Sequence, residues 1–347
     1  MAIKFANNNE AGRWNRFVLD NPDGGNVFQS VEFGEQKKLS GWKPLYVFVN
    51  NIAVLILEKK VAGLGSMWYV PKGPGVGSAV QLADMVSELR GFASKSGAFA
   101  IKLEPEIKKT DDATSLFNQI GLRSVHSIQP NVSTVLIDLK PPVETILANL
   151  NQKGRHAIRR AERDGVKIRR VQATDENCRL FYQLLSETAI GQRFSVRSFE
   201  YQKAFWQRFT DAGMGQLFFA YVDRTLVAGA FALIYGDKST YKDGASVREK
   251  VVYGASHLLQ WEVIKWAKEN RSKVHDLCGT PQSSRIGDES HPHYGIGRFK
   301  TSFNKQVTDY VGAYDIVVKP RQYAIWVRYG ERLTKRLWWR KHHEGWY

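Results

Sequence analysis

The sequence predicts an α/β protein of two tandem units that repeat one order: helix, three strands, helix, strand. Two observations carry that prediction. Hairpin patterns of β-branched and aromatic residues occur twice, at 42–60 and 216–235, each around an Asn- or Asp-containing turn. Each is followed by an amphipathic stretch at helical spacing and a short closing strand. Recurrence of one supersecondary order reads as internal duplication. The length, 347 residues, suits two domains better than one.

In the first unit, WKPLYVFVNNIAVLILEKK reads as two strands around Val49-Asn50-Asn51, and SMWYVPKGP supplies a third. In the next stretch Val80, Leu82, Met85, Val86 and Leu89 repeat at helical spacing, and AFAIKLEPE, 98–106, closes the unit. In the second, QLFFAYVDRTLVAGAFALIY turns at Val222-Asp223-Arg224, KSTYKDGAS is the third strand, residues 253–270 are helical, and KVHDLCG, 273–279, closes. Helical patterns, NNNEAGRWNRFVLD and TDENCRLFYQLLSETAI, precede the two hairpins. This order is also the core of the acetyltransferase (GNAT) fold, where a loop at a helix N-terminus binds pyrophosphate through backbone N–H groups. PKGPGVGS, 71–78, occupies that place; it reads equally as a plain Gly/Pro turn.

Composition narrows the function. The chain is 43% hydrophobic and 24% charged, a globular balance without low-complexity stretches. It has neither a signal-peptide core at its N-terminus nor an apolar run long enough for a membrane span, so a soluble, cytoplasmic protein is expected. Cys178 and Cys278 are too few for a disulfide scaffold or a zinc ribbon and read as small buried thiols. Lys and Arg exceed Asp and Glu by 16, which favours a polyanionic partner: nucleic acid, anionic lipid or a phosphorylated substrate.

Eight Lys or Arg residues fall between 153 and 170, and Arg155, Arg159 and Arg163 share one helix face. Lys153, Arg155, Arg159 and Arg160 are candidates to grip the phosphates of a tRNA acceptor arm or an anionic substrate; a solvated helix face is the plainer alternative. No G-x-S-x-G, H-E-x-x-H or Walker loop occurs. Acyl transfer to an amine from an activated ester needs none of them. It needs the amine positioned and the developing oxyanion stabilised.

Several segments resemble the Fem (FemABX) family. LNQKGRHAIRRAERDGVKI is similar to its Lys/Arg-rich hallmark, and GIGRFKTSF, 295–303, to its Gly-x-x-x-Phe-Lys-x-x-Phe motif. QSVEFGEQK, KLEPEI, QPNVSTVLIDL, HDLCGT and VTDYVGAYD match further segments, in the family's order. The resemblance implies two GNAT-like domains around a shared cleft: 1–139 with 318–347 for precursor binding, and 140–317 for the aminoacyl-tRNA and the transfer centre. It implies an aminoacyltransferase that moves an amino acid from aminoacyl-tRNA to the stem-peptide amine of a peptidoglycan precursor, UDP-MurNAc-pentapeptide or a lipid-linked form. No cofactor or metal is implied, and a monomer is expected. The absence of sustained heptads points to the compact form without a coiled-coil arm.

Carried over by position, Lys300 and Phe299 of the Phe-Lys motif are the catalytic candidates, with Lys300 donating to the oxyanion. Lys37, Arg197, Tyr201, Glu104 and Asp243 are the substrate-binding candidates. Glu104 stands where many members have Asp, and Asp243 where a relative has a tyrosine. The alternatives are a CoA-dependent N-acyltransferase and a non-enzymatic tRNA- or membrane-binding protein. The second is suggested by the C-terminal stretch, where an apolar stripe, Tyr323, Trp326, Val327, Leu333 and Leu337, runs beside Arg328, Arg332, Lys335, Arg336 and Arg340. That stretch is expected to pack on the first domain, with peripheral membrane contact as the alternative.

Overall fold

A computed structural model describes residues 3–129, 132–192, 195–247 and 252–347, the side chains of 191 and 192 excepted. The first part of the chain forms β1 (Ile3–Phe5), α1 (Asn8–Gly12), α2 (Trp14–Leu19), α3 (Val31–Lys38), β2 (Lys43–Val49), β3 (Ile52–Val61), β4 (Gly65–Val70), α4 (Ala79–Lys95), β5 (Ala98–Leu103), α5 (Asp111–Gln119) and β6 (Arg123–Val125). It continues through β7 (Ser133–Asp138), α6 (Val143–Asn149), α7 (Gln152–Arg163), β8 (Lys167–Val171), α8 (Asp175–Gln192), α9 (Phe199–Asp211), β9 (Gly215–Val222), β10 (Thr225–Tyr235), β11 (Lys238–Ser246), α10 (Ala255–Glu269), β12 (Val274–Gly279), α11 (Tyr294–Thr301) and β13 (Val307–Asp309). It ends with β14 (Ala313–Val317), α12 (Pro320–Ile325) and α13 (Glu331–His342).

Two compact units result, Met1–Val132 with Tyr310–Tyr347, and Ser133–Asp309. Each holds one seven-stranded sheet, ordered β1-β2-β3-β4-β5-β14-β6 in the first and β13-β7-β12-β11-β10-β9-β8 in the second. In both, three antiparallel strands lead through a helix to a parallel partner: β4 with β5, and β11 with β12. The repeated GNAT-like order is therefore present, down to the single parallel crossover. Both hairpins turn through left-handed residues, Asn50 and Asn51 (φ 49° and 69°) and Asp223 (φ 53°), as tight hairpins demand.

The divisions fall a few residues before the expected 139/140 and 317/318. β7 pairs with β12 and β13 and so belongs to the second sheet, while β14 inserts between β5 and β6 of the first. Pro130 and Asn131, within QPNVSTVLIDL, lie outside the described residues.

In the first unit the helix after the hairpin begins at an N-cap, Ser78, whose hydroxyl accepts from the Gln81 N–H, and buries Leu82, Met85, Val86 and Leu89 against Val54, Ile56, Trp68 and Ile101. In the second unit, α10 buries Leu258, Leu259, Val263 and Ile264 against Phe218, Ala230 and Ala232 of the sheet. His275 is sealed in that core, its ring nitrogens 2.7 Å from Ser239 Oγ and from Gln260 Nε2. Burial pushes it down to about 3, and likewise His257 to about 4. The unfolded chain, with histidines near ~6.5, therefore takes up protons that the folded chain refuses. This part of the stability is complete above pH ~6.5 and is lost as pH falls toward the folded values. Calorimetry should show a lower unfolding temperature at pH 5 than at pH 7, and His275→Gln should shrink that difference.

Candidate active site

In the second unit the two most distinctive sequence segments meet. Helix α7 buries Gly154, Ala157, Ile158 and Ala161, at i, i+3, i+4 and i+7, against α10. A Cβ on Gly154 would overlap the Ser302 carbonyl, so only glycine lets the helix come this close to the end of α11. Just before α7, Asn151 donates from its backbone N–H to Phe303 O at 3.3 Å and from its amide to Thr301 O at 3.2 Å. The basic hallmark segment thus clamps the C-terminal end of GIGRFKTSF.

That clamp sets Lys300. Its side chain is buried, and Nζ donates to Gly279 O at 2.6 Å. Among the described residues this is its one hydrogen bond, so two of the three ammonium donors remain for a ligand. The acceptor carbonyl is presented by an irregularity in β12: its register against β7 breaks between Asp276 and Gly279, and Cys278 takes a left-handed φ of 60°. Asp276 fixes the bulge by accepting from Cys278 N at 2.6 Å and from the Thr134 hydroxyl. Burial pushes the Lys300 ammonium below its ordinary value, while Cys278 and Asp276 pull the other way. Phe299 has a different place: its ring packs against His257 and Phe303 at 5.0 and 5.4 Å, in the core under the helix.

Arg197, Tyr201 and Asp243 gather nearby. The Arg197 guanidinium, just before α9, lies 5.1 Å over the ring of Tyr201 in the helix's first turn. Asp243, on β11, accepts from Trp206 Nε1 at 3.0 Å and from Lys242 Nζ at 2.9 Å. Lys242 escaped the sequence reading, since one lysine in a strand has no distinguishing signal. Burial works against its charge, but Asp243 outweighs that, with help from Cys278 and Tyr201, and holds the ammonium above its ordinary value. Cys278, read from the sequence as a small buried thiol, is thus the electrostatic neighbour of both Lys242 and Lys300, and it is only half-buried.

In the first unit, Ser30 caps α3 and Gln29 bonds Leu55 N and Pro71 O, which fixes the helix that carries Lys37. Lys37 is buried, 6.0 Å from the Phe33 ring centre. Glu104 corrects an expectation. Its buried carboxylate accepts from Tyr69 Oη at 2.6 Å and from the Ile128 and Gln129 N–H groups, so it ties the loop before β7 to β5 instead of facing a ligand. Residues 71–76 are buried, with Gly73 against the Gln29 amide and Gly75 against Asn21 and Asp23, and Gly77 N–H is taken by Gln81. The Gly/Pro loop is a packed turn filled by its own protein.

The FemAB family model matches residues 10–119, 107–225 and 214–327. The chain belongs to the FemAB family. A lipid II:glycine glycyltransferase of Staphylococcus haemolyticus is 22% identical over 401 residues, covering 92% of this chain and 94% of that protein. The enzyme of the same name from Staphylococcus aureus strain MRSA252 is 22% identical over 403 residues, with the same coverage. Both alignments run over more positions than this chain has residues, so those relatives carry insertions that it lacks. Among solved structures, FemX superposes with a TM-score of 0.79 at 20% identity, covering 94% of this chain and 99% of that one. L-PGS from Bacillus licheniformis gives a TM-score of 0.54 at 15% identity, covering 92% and 96%.

In this FemAB-family chain the basic face of α7 is divided in role. Lys153 and Arg159 are exposed and have no ion pair among the described residues. Arg160 is held by Asp164 at 2.7 Å. Arg155 corrects the phosphate-grip expectation: its guanidinium donates to the Ala148 and Leu150 carbonyls and so caps the end of α6. Among the described residues no helix is long and apolar enough to cross a membrane.

Proposed function

We propose that the chain transfers an amino acid from aminoacyl-tRNA to the stem-peptide amine of a peptidoglycan precursor. The observation that carries this is the buried Lys300 ammonium, aimed by Gly279 O and with two donors to spare, in a chain of the FemAB family. The amine nitrogen bonds to the ester carbon and loses its proton. The carbon–oxygen bond to the tRNA ribose breaks, leaving a ribose hydroxyl. Between these events the carbonyl oxygen carries negative charge, and Lys300 stabilises it. Lys153 and Arg159 bind acceptor-arm phosphates; Arg197, stacked on Tyr201, binds a precursor phosphate, and Lys37 is the first unit's candidate for the same chemistry. The names of the glycyltransferase relatives support a peptidoglycan precursor as acceptor, in the lipid-linked form that those names give. The packed Gly/Pro loop disfavours a CoA pyrophosphate there. With aminoacyl-tRNA as donor, the reaction belongs in the cytoplasm.

The test is mass spectrometry of UDP-MurNAc-pentapeptide and of lipid II after incubation with a mixed aminoacyl-tRNA pool. Addition of one or more amino acid residues to either is expected. Turnover of acetyl-CoA with no tRNA-dependent product would overturn the proposal. Arg197→Ala should raise the Michaelis constant for the precursor by about 10- to 100-fold, the loss of one charge-assisted contact worth about 1.5–3 kcal/mol. An unchanged constant removes Arg197 from the site.

A further inference from the structure

The C-terminal segment is anchored on one side and bare on the other. Tyr323, Trp326 and Trp346 are buried in the first unit. Lys59, itself buried, donates to Trp346 O at 2.7 Å and lies 3.6 Å from the Trp338 ring centre and 4.8 Å from that of Trp346. On α13 the half-buried positions Glu331, Thr334 and Trp338, spaced i, i+3 and i+7, mark the inner face. Leu333 and Leu337 point away from it and are 57% and 53% exposed, and Trp339 on the flank is 54% exposed. The apolar stripe expected from the sequence is therefore split: Tyr323 and Trp326 face in, while Val327, Leu333 and Leu337 face out. A π-helical turn at Trp326–Gly330 shifts the helical register between them.

The exposed side combines two features that a solvated helix does not need together. Half of the twelve exposed large hydrophobic side chains among the described residues lie between Ile325 and Trp339. Arg328, Arg332, Arg336, Arg340 and Lys341 are exposed among them, against two acids: Glu331, which is itself paired with Lys335, and Glu344, which lines a hollow with Lys335, Arg336 and Trp339. Cations alone would suit RNA. Outward leucines and a tryptophan on a helix pinned from behind suit a surface with an apolar interior and an anionic rim.

We propose that this face rests on the surface of an anionic lipid bilayer, with Leu333, Leu337 and Trp339 at the acyl boundary and the arginines on lipid phosphates. The inference stands on the tail alone and holds whatever reaction the chain catalyses.

Sedimentation of the full chain with vesicles tests it. Binding to mixed phosphatidylglycerol and phosphatidylcholine vesicles is expected, about tenfold or more tighter than to phosphatidylcholine alone, and weaker in high salt. Replacing Leu333, Leu337 and Trp339 together by Ser should weaken it about tenfold or more with an unchanged unfolding temperature, since all three are exposed. Arg336→Gln and Arg340→Gln should each cost about fivefold. No binding to the anionic vesicles at low salt overturns the proposal, as does wild-type binding by the triple variant. Two further results overturn it when vesicle binding is absent: dimers that the triple variant disperses, which would put a second copy on this face, or tRNA binding lost in the arginine variants. None of these readouts uses transferase activity, so they stand apart from the test of the reaction.

Discussion

Replacing Lys300 by Met is expected to lower turnover by about 10²- to 10³-fold while leaving the apparent affinities for both substrates within a few-fold of wild type. Methionine keeps much of the stem, so α11 retains its packing beneath the Pro281 and Ile286 side chains, which already touch Gly297. What is removed is the ammonium proposed above to stabilise the oxyanion, and loss of one such donor costs this much in other acyl transfers. Because the interaction strengthens only as charge grows on the ester oxygen, the effect belongs in the rate constant and not in binding. The substitution also leaves Gly279 O without its partner, so a loss of about 1–2 kcal/mol in stability is expected alongside. Single-turnover kinetics separates the two effects. A folded variant with near-normal turnover would remove Lys300 from the chemistry.

Gly154→Ala is expected to produce the second largest effect, through packing alone. The added methyl overlaps the backbone carbonyl of Ser302, which cannot swing aside as a flexible side chain would. Either α7 withdraws from the end of α11 or the end of α11 moves. Overpacking of this kind costs about 3 kcal/mol, or roughly 6–10 °C in unfolding temperature for a unit of this size. Turnover should fall as well, because Lys300 lies two residues before the displaced carbonyl and a shift on the order of 1 Å at a transfer centre is enough to reduce rate strongly. Differential scanning calorimetry and a transfer assay below the unfolding temperature check the two halves. Wild-type stability would show that the glycine is dispensable at that crossing.

The strands and helices were legible because hydrophobic period reports local structure directly, and the duplicated order was legible because both units use the same period changes. The ends of the units were not. Ser133–Asp138 reads as a strand from its own residues, but which sheet it joins depends on β12, more than a hundred residues away. Lys300 stood out through its motif. The carbonyl that aims it did not, because a cysteine at a φ of 60° in a bulge has no pattern in the chain. Arg155 and Glu104 misled for one reason: charge type is visible in a sequence, whereas the groups that consume it, two helix-end carbonyls for one and a phenol with two backbone N–H groups for the other, are brought in by folding.

The place of β14 has a consequence for how the chain comes to be folded. This strand sits between β5 and β6, and its Asp315 meets Lys102 at 3.2 Å in the interior. Residues 98–125 therefore have to wait for a segment made nearly two hundred residues later. During synthesis the whole of Ser133–Asp309 emerges before β14 and can close on itself, since its described strands pair only with one another. The first unit is left as an open sheet with an unfilled gap and exposed strand edges until the last part of the chain arrives. Joining distant ends costs little extra when the intervening loop is already compact, so early folding of the inserted unit turns a long closure into a short one. The protein is thus expected to assemble from the middle outwards, with the segment synthesised first among the last to be completed.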